Sequence, residues 1–175
     1  GTTTKQRGIG FAMEQAPSAD QGQNGFNRIA VVGFGLVGAS FAAAMHEKHP
    51  DARLMAVDID DPTLASALGR GWALEAATPD DPAFERFVRD GCDLVMFAAP
   101  AAAAEECFAR LAAWDYAGIV TDTASTKAHI AQQAAALLPH PENYVPGHPM
   151  AGSEVNGIEG ARADLFEGAH WILCP

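Results

Sequence analysis

The sequence predicts an α/β protein built on a doubly wound, mostly parallel sheet in a single domain. Three observations predict it. From Arg28 onward, short apolar runs alternate with longer alanine-rich segments whose larger apolar residues recur at helical spacing. The runs are apolar at successive positions, so both faces of each strand are destined for burial, as in a parallel sheet covered by helices on both sides. Between the first such run and the first helix lies a glycine turn, Gly33-Phe34-Gly35-Leu36-Val37-Gly38.

The elements follow in order. Residues Gly1 to Asn27, rich in Gly, Gln, Thr and Ser without periodicity, are expected to form a flexible extension, leaving 28–175 as the folded domain. Strands are expected at Ile29–Val32, at Leu54–Val57 closed by Asp58, and more weakly at Trp72–Leu74. Helices are expected at Leu36–Met45 and at Pro62–Leu68, with Pro62 in the first turn and Gly69 as C-terminal cap. Thr78 to Asp81 reads as a turn before a short helix ending near Arg89. Asp93–Ala98 is the strongest strand signal, and Pro100 ends it. The next helix, Ala101–Trp114, aligns Cys107, Leu111 and Trp114 on one stripe. A fifth strand at Ile119–Thr121 precedes a helix over Lys127–Leu138 with Ile130, Ala134 and Leu137 inward, and a last strand spans Trp171–Cys174.

Composition narrows the function. The 175 residues are 49% hydrophobic and 19% charged, enough for the core of one ordinary domain. Eleven Lys and Arg against 22 Asp and Glu give a formal charge of −11, the opposite of a nucleic-acid or anionic-membrane footprint. No apolar run approaches the roughly 18 residues of a membrane helix, and the N-terminus lacks a secretory signal's apolar core, so a cytoplasmic location is expected. Cys92, Cys107 and Cys174 are widely spaced with no CxxC, which predicts buried free thiols rather than a disulfide framework or a metal site.

The glycine turn carries the first chemistry. Gly33 permits a tight turn, Gly35 removes a Cβ so that backbone approaches a pyrophosphate, and Gly38 lets the helix pack close to the strand. The helix N-terminus offers unpaired N–H groups to phosphates. Asp58, at the end of the second strand, is placed to accept hydrogen bonds from the ribose hydroxyls of an adenosine. Asp60 and Asp61 follow with no Lys or Arg beside them, so a 2′-phosphate meets only carboxylates and NAD is expected over NADP. This is the fingerprint of a Rossmann-type domain.

Two further segments stand where a doubly wound sheet places its ligand, past the carboxyl ends of strands. The first is Asp122-Thr123-Ala124-Ser125-Thr126-Lys127, in which Ser125 or Thr126 is also a candidate helix cap. The second is Gly147-His148-Pro149-Met150-Ala151-Gly152, a histidine held in a polar, turn-rich loop.

Together these segments resemble the prephenate and arogenate dehydrogenases of tyrosine biosynthesis. The resemblance runs from Arg28 to Pro175 and rests most specifically on the Ser-Thr-Lys and His-Pro-Met-Ala-Gly segments. It implies NAD-dependent oxidative decarboxylation of a cyclohexadienyl substrate, with His148 accepting the hydrogen bond of the substrate hydroxyl as hydride departs. It also implies that Ser125 orients hydroxyl and imidazole, and that Lys127 lends positive charge to the acidic substrate. Ala98, Ala99, Pro100 and Asp122 are expected beside the dinucleotide. Members of that family continue into a helical domain that makes the homodimer contact and supplies cations for the substrate, and the present sequence is expected to be the nucleotide-binding half without it. The alternatives are another two-domain dehydrogenase, of the β-hydroxyacid type, and a non-catalytic NAD-binding module. The His148 segment argues against the first, and the presence of both His148 and Ser125 against the second.

Overall fold

The computed structural model describes residues 25–174, so nearly all of the expected N-terminal extension lies outside the described residues. The chain runs β1 (Arg28–Val32), α1 (Leu36–Lys48), β2 (Arg53–Val57), α2 (Asp61–Gly69), β3 (Glu75–Ala77), α3 (Pro82–Arg89) and β4 (Leu94–Phe97). A 3-10 turn at Ala101–Ala103 leads into α4 (Ala104–Ala113), followed by β5 (Ile119–Asp122), α5 (Ala128–Leu137), β6 (Tyr144–Val145), β7 (Gly147–Pro149) and β8 (Trp171–Leu173). Six strands form one parallel sheet in the order β3-β2-β1-β4-β5-β6, while β7 and β8 pair antiparallel as a separate ribbon. The order reverses between β1 and β4. That switch point opens the crevice in which such sheets bind ligands.

The apolar runs are continuous because the sheet is buried on both faces. Ala30 and Val32 of β1 pack with Phe84 and Phe87 of α3, Phe108 and Leu111 of α4 and Ile130 of α5. Their neighbours Ile29 and Val31 face the other way, against Ala39 and Ala42 of α1 and Leu64 of α2. The phenylalanines at 84, 87, 97 and 108 are almost wholly buried, each contributing about 1.5–3 kcal/mol relative to an exposed ring. Ile158, in a 3-10 turn at Ile158–Gly160, joins the second cluster, so the chain returns across the sheet after β7 to complete the α1 face. The backbone N–H of Arg162 donates to the wholly buried hydroxyl of Ser40 at 3.1 Å and fastens that return.

Several expectations are corrected. The third strand is Glu75–Ala77 rather than Trp72–Leu74, because the pairing partners of Met55, Ala56 and Val57 are residues 75 to 77. Gly69 is the last helical residue of α2, Arg70 is the C-cap, and Gly71 takes the left-handed conformation with φ +71°. The parallel sheet gains a sixth strand, β6, and the turn-rich region after Pro139 holds β7. Cys92 and Cys107 are buried free thiols, but Cys174 is only half-buried.

Candidate functional site

The helices that follow β1, β4 and β5, around the switch point, begin without a side-chain cap. Those that follow the outer strands β2 and β3 are capped by Asp60, accepting from Thr63 N–H at 3.0 Å, and Asp81, accepting from Ala83 N–H at 2.8 Å. Backbone donors are therefore left unclaimed by side chains where a ligand would enter. The expected cap from Ser125 or Thr126 is not made: Lys127 is the N-cap of α5, and Ser125 stands exposed in the loop before it.

The glycine turn is built as the motif requires. Gly33 has φ +88°, and a Cβ there would collide with the backbone at Ala98 and Ala99. A Cβ at Gly38 would strike the Gly33 carbonyl oxygen, so α1 rests directly on the end of β1. At Gly35 a Cβ would meet nothing within 4 Å, because that position faces open space. The cradle above the uncapped N–H groups has room for phosphate oxygens. Phe34, grouped with the cofactor residues by the motif, is instead a core side chain with no exposed surface. Leu36 and Val37 are half-buried in the first turn of α1.

Asp58 ties the turn to the second strand. Its Oδ2 accepts the Phe34 N–H at 2.7 Å and its Oδ1 accepts the Asp60 N–H at 3.0 Å, which fixes the carboxylate while leaving each oxygen a further lone pair. Gly33, Gly35, Asp58, Ala98, Ala99 and Pro100 all line one cleft of about 370 Å³. The same cleft contains residues that the sequence did not flag, among them Ile59, Pro79, Ala103, Glu106 and Arg110. Cys107 also borders it, but burial pushes its thiol up to about 12, so it stays protonated and unreactive.

Asp122 departs from its expected role beside the dinucleotide. It has no exposed surface and is not part of the cleft lining. Its Oδ2 accepts from Ala124 N–H at 2.9 Å and pairs with the Lys127 ammonium, while Oδ1 accepts from the Tyr144 hydroxyl at 2.8 Å and Gly147 N–H at 3.3 Å. Burial and the adjoining Asp122 carboxylate push the Tyr144 hydroxyl up, which keeps it a donor. One carboxylate thus joins β5, the Ser125 loop, β6 and β7. Lys127 is largely committed to Asp122 and is mostly buried, so its charge is spent inside the protein.

His148 stands on β7, opposite Ile172 of β8. Its Nδ1 lies 3.3 Å from the Thr123 carbonyl oxygen. A carbonyl only accepts, so Nδ1 carries the proton, and in the neutral imidazole Nε2 presents its lone pair. The bond also brings His148 to the loop that bears Ser125. Among the described residues no three His, Cys, Asp or Glu side chains converge to hold a metal, and no helix is long and apolar enough to cross a membrane.

A parallel sheet in this order, with a glycine turn after β1 and an acid after β2, defines a Rossmann-type nucleotide-binding domain. The family model described as prephenate dehydrogenase, nucleotide-binding domain, matches residues 41–175, and the chain belongs to that family. It is 33% identical over 152 residues to the prephenate dehydrogenase of Bacillus subtilis (strain 168), an alignment covering 84% of this chain and 39% of that one. Among solved structures, prephenate dehydrogenase from A. aeolicus in complex with hydroxyphenyl propionate and NAD+ superposes with a TM-score of 0.77 at 27% identity, covering 86% of this chain and 51% of that one. Synechocystis arogenate dehydrogenase gives 0.72 at 30% identity over 85% of this chain and 50% of that one. The chain spans about two-fifths of the length of the first two curated relatives it matches.

Proposed function

We propose that this chain is the NAD-binding and histidine-bearing part of a dehydrogenase that oxidatively decarboxylates prephenate or arogenate, in the cytoplasm and as a homodimer. The observation that carries the reading is the placement of His148: an imidazole with Nδ1–H anchored on Thr123 and Nε2 free, adjoining the uncapped Ser125 loop at the carboxyl end of β5. The free thiols fit a reducing compartment. Exposed Met150, Ile172 and Leu173 on and beside the β7–β8 ribbon fit a surface covered by further protein.

NAD, when bound, supplies the hydride acceptor. The N–H groups of the Gly35–Gly38 turn would hold its phosphates, and the spare lone pairs of Asp58 would take the ribose hydroxyls. Asp58, Asp60 and Asp61 set NAD above NADP, since a 2′-phosphate there meets three carboxylates. Arg110 lines the same cleft, but its charge is offset by Asp80 and Glu106, both paired with Nη2, so it adds little net attraction for a 2′-phosphate. At the reacting end, Nε2 of His148 accepts the hydrogen bond of the substrate hydroxyl and takes up its proton as the carbon is oxidised. Ser125 donates to or accepts from that hydroxyl and so narrows its orientations. Because Lys127 is neutralised by Asp122, it has little charge left for the substrate carboxylates.

The test is turnover of the full gene product, followed as NADH absorbance with prephenate and with arogenate. His148→Ala should lower kcat by about 10²- to 10⁴-fold, the range for losing a general base, with NAD affinity by calorimetry unchanged. Unaltered turnover would return His148 to a structural role.

A further inference from the structure

The cleft that holds Asp58 is also lined by Ile59, Pro79 and Ala103, apolar surface suited to a planar ring. Ile59 is 86% exposed, an unusual state for an isoleucine beside a cleft and one that a stacked ring would relieve. Besides Asp58, the charged side chains lining this cleft among the described residues are Glu106 and Arg110, one turn apart on α4.

Their arrangement is fixed from outside. Arg110 Nη2 is shared between Asp80, from the turn between β3 and α3, and Glu106, whose Oε1 lies 2.6 Å away. Arg110 Nε is sealed from solvent with no hydrogen-bond partner. Nη1 makes no hydrogen bond among the described residues and is not sealed, so the guanidinium is held in place through Nη2 with Nη1 donors to spare, beside a carboxylate that is still well exposed.

We propose that Glu106 and Arg110 form a base-reading subsite for the amino-bearing edge of adenine. This rests on the NAD reading above and goes beyond it to the base. Adenine presents an amino donor next to ring-nitrogen acceptors, which is the complement of a carboxylate acceptor next to a guanidinium donor. Hypoxanthine presents the reverse, a carbonyl next to a ring N–H, and sets that carbonyl oxygen against the Glu106 carboxylate. The pair therefore separates the two bases by hydrogen-bond polarity rather than by shape.

The experiment is calorimetric titration of this chain with NAD and with nicotinamide hypoxanthine dinucleotide, which differs only at that edge. The unaltered chain should bind NAD about 10- to 100-fold more tightly, the range for one hydrogen bond to a charged group. Glu106→Ala and Arg110→Met should each weaken NAD and bring the ratio to within about two-fold of unity, while Asp58→Ala should weaken both ligands and leave the ratio intact. Glu106 is largely exposed, so its substitution should leave the unfolding temperature in place and keep the test independent of the more buried Arg110. NAD binding with a ratio near one in the unaltered chain, or a ratio that survives both α4 substitutions, overturns the subsite alone. Binding of neither dinucleotide overturns the NAD reading and the subsite with it.

Discussion

The turn at Gly33–Gly38 and the loop at Asp122–Lys127 both stand at the carboxyl ends of parallel strands, yet they are held by opposite means. The first is shaped by the absence of side chains: backbone packs on backbone, Gly33 N–H donates to the Val57 carbonyl at 2.8 Å, and no side chain caps α1. The second is shaped by a buried carboxylate that gathers four donors from separate segments. A turn whose backbone donors stay unclaimed cannot fill the space above them with side chains, whereas a loop that carries Ser125 and meets His148 through Thr123 can rest on a buried, neutralised ion pair. The difference teaches that one region is built for vacancy and the other for fixity.

Substitutions should expose that contrast. Asp122→Ala strands Lys127, Tyr144 and Gly147 at once and should cost about 3–5 kcal/mol in urea unfolding, the range for breaking a buried pair. A loss near that of a surface salt bridge would show that the loop does not depend on it. In the glycine turn, the two positions should separate. Gly38→Ala forces α1 off β1 and should cost about 1–3 kcal/mol as overpacking, while Gly35→Ala should stay within about 0.5 kcal/mol of the parent but weaken NAD. Equal destabilisation at both positions would mean that the vacancy at Gly35 is structural.

The smallest effect concerns Asp60, the outer cap. Hydrogen bonds from the Thr63 hydroxyl and N–H hold its carboxyl below the usual range. A depressed folded-state value stabilises at pH above the ordinary Asp value, and the stabilisation is lost as pH falls through the depressed one. Asp60→Ala should therefore lower the unfolding temperature slightly at neutral pH and not at all in strong acid. A difference that grows toward low pH would refute the capping role.

The fold and the glycine cradle were legible because local pattern determines them. β1, β2 and β4 are apolar on both faces, and the motif glycines lie within six residues of one another. The sequence points to Trp72–Leu74 rather than to β3 because Glu75, Ala76 and Ala77 form an edge strand with little apolar signal, whereas Trp72 and Ala73 pack on the core without pairing. β6 and β7 are too short to announce themselves, and β7 exists only against β8 and Asp122. Asp122 itself reads as a ligand contact from its place at a strand end; its burial depends on Tyr144 and Gly147, which arrive later in the chain. Arg110 is not legible beside Asp58 in the sequence, because α4 brings it to the cleft from 52 residues further along the chain.

The bond from Arg162 to Ser40 also sets a timetable for synthesis. Its partners lie 122 residues apart, so at about 5–20 residues per second α1 waits roughly 6 to 24 s on the ribosome before its cover is made. Until then Ser40 has no Arg162 to satisfy it and Ile158 is not yet there to shield Ile29 and Val31. The α1 face of the nascent domain thus stays incompletely covered during that interval, and remains so whenever translation stalls between β7 and the return strap.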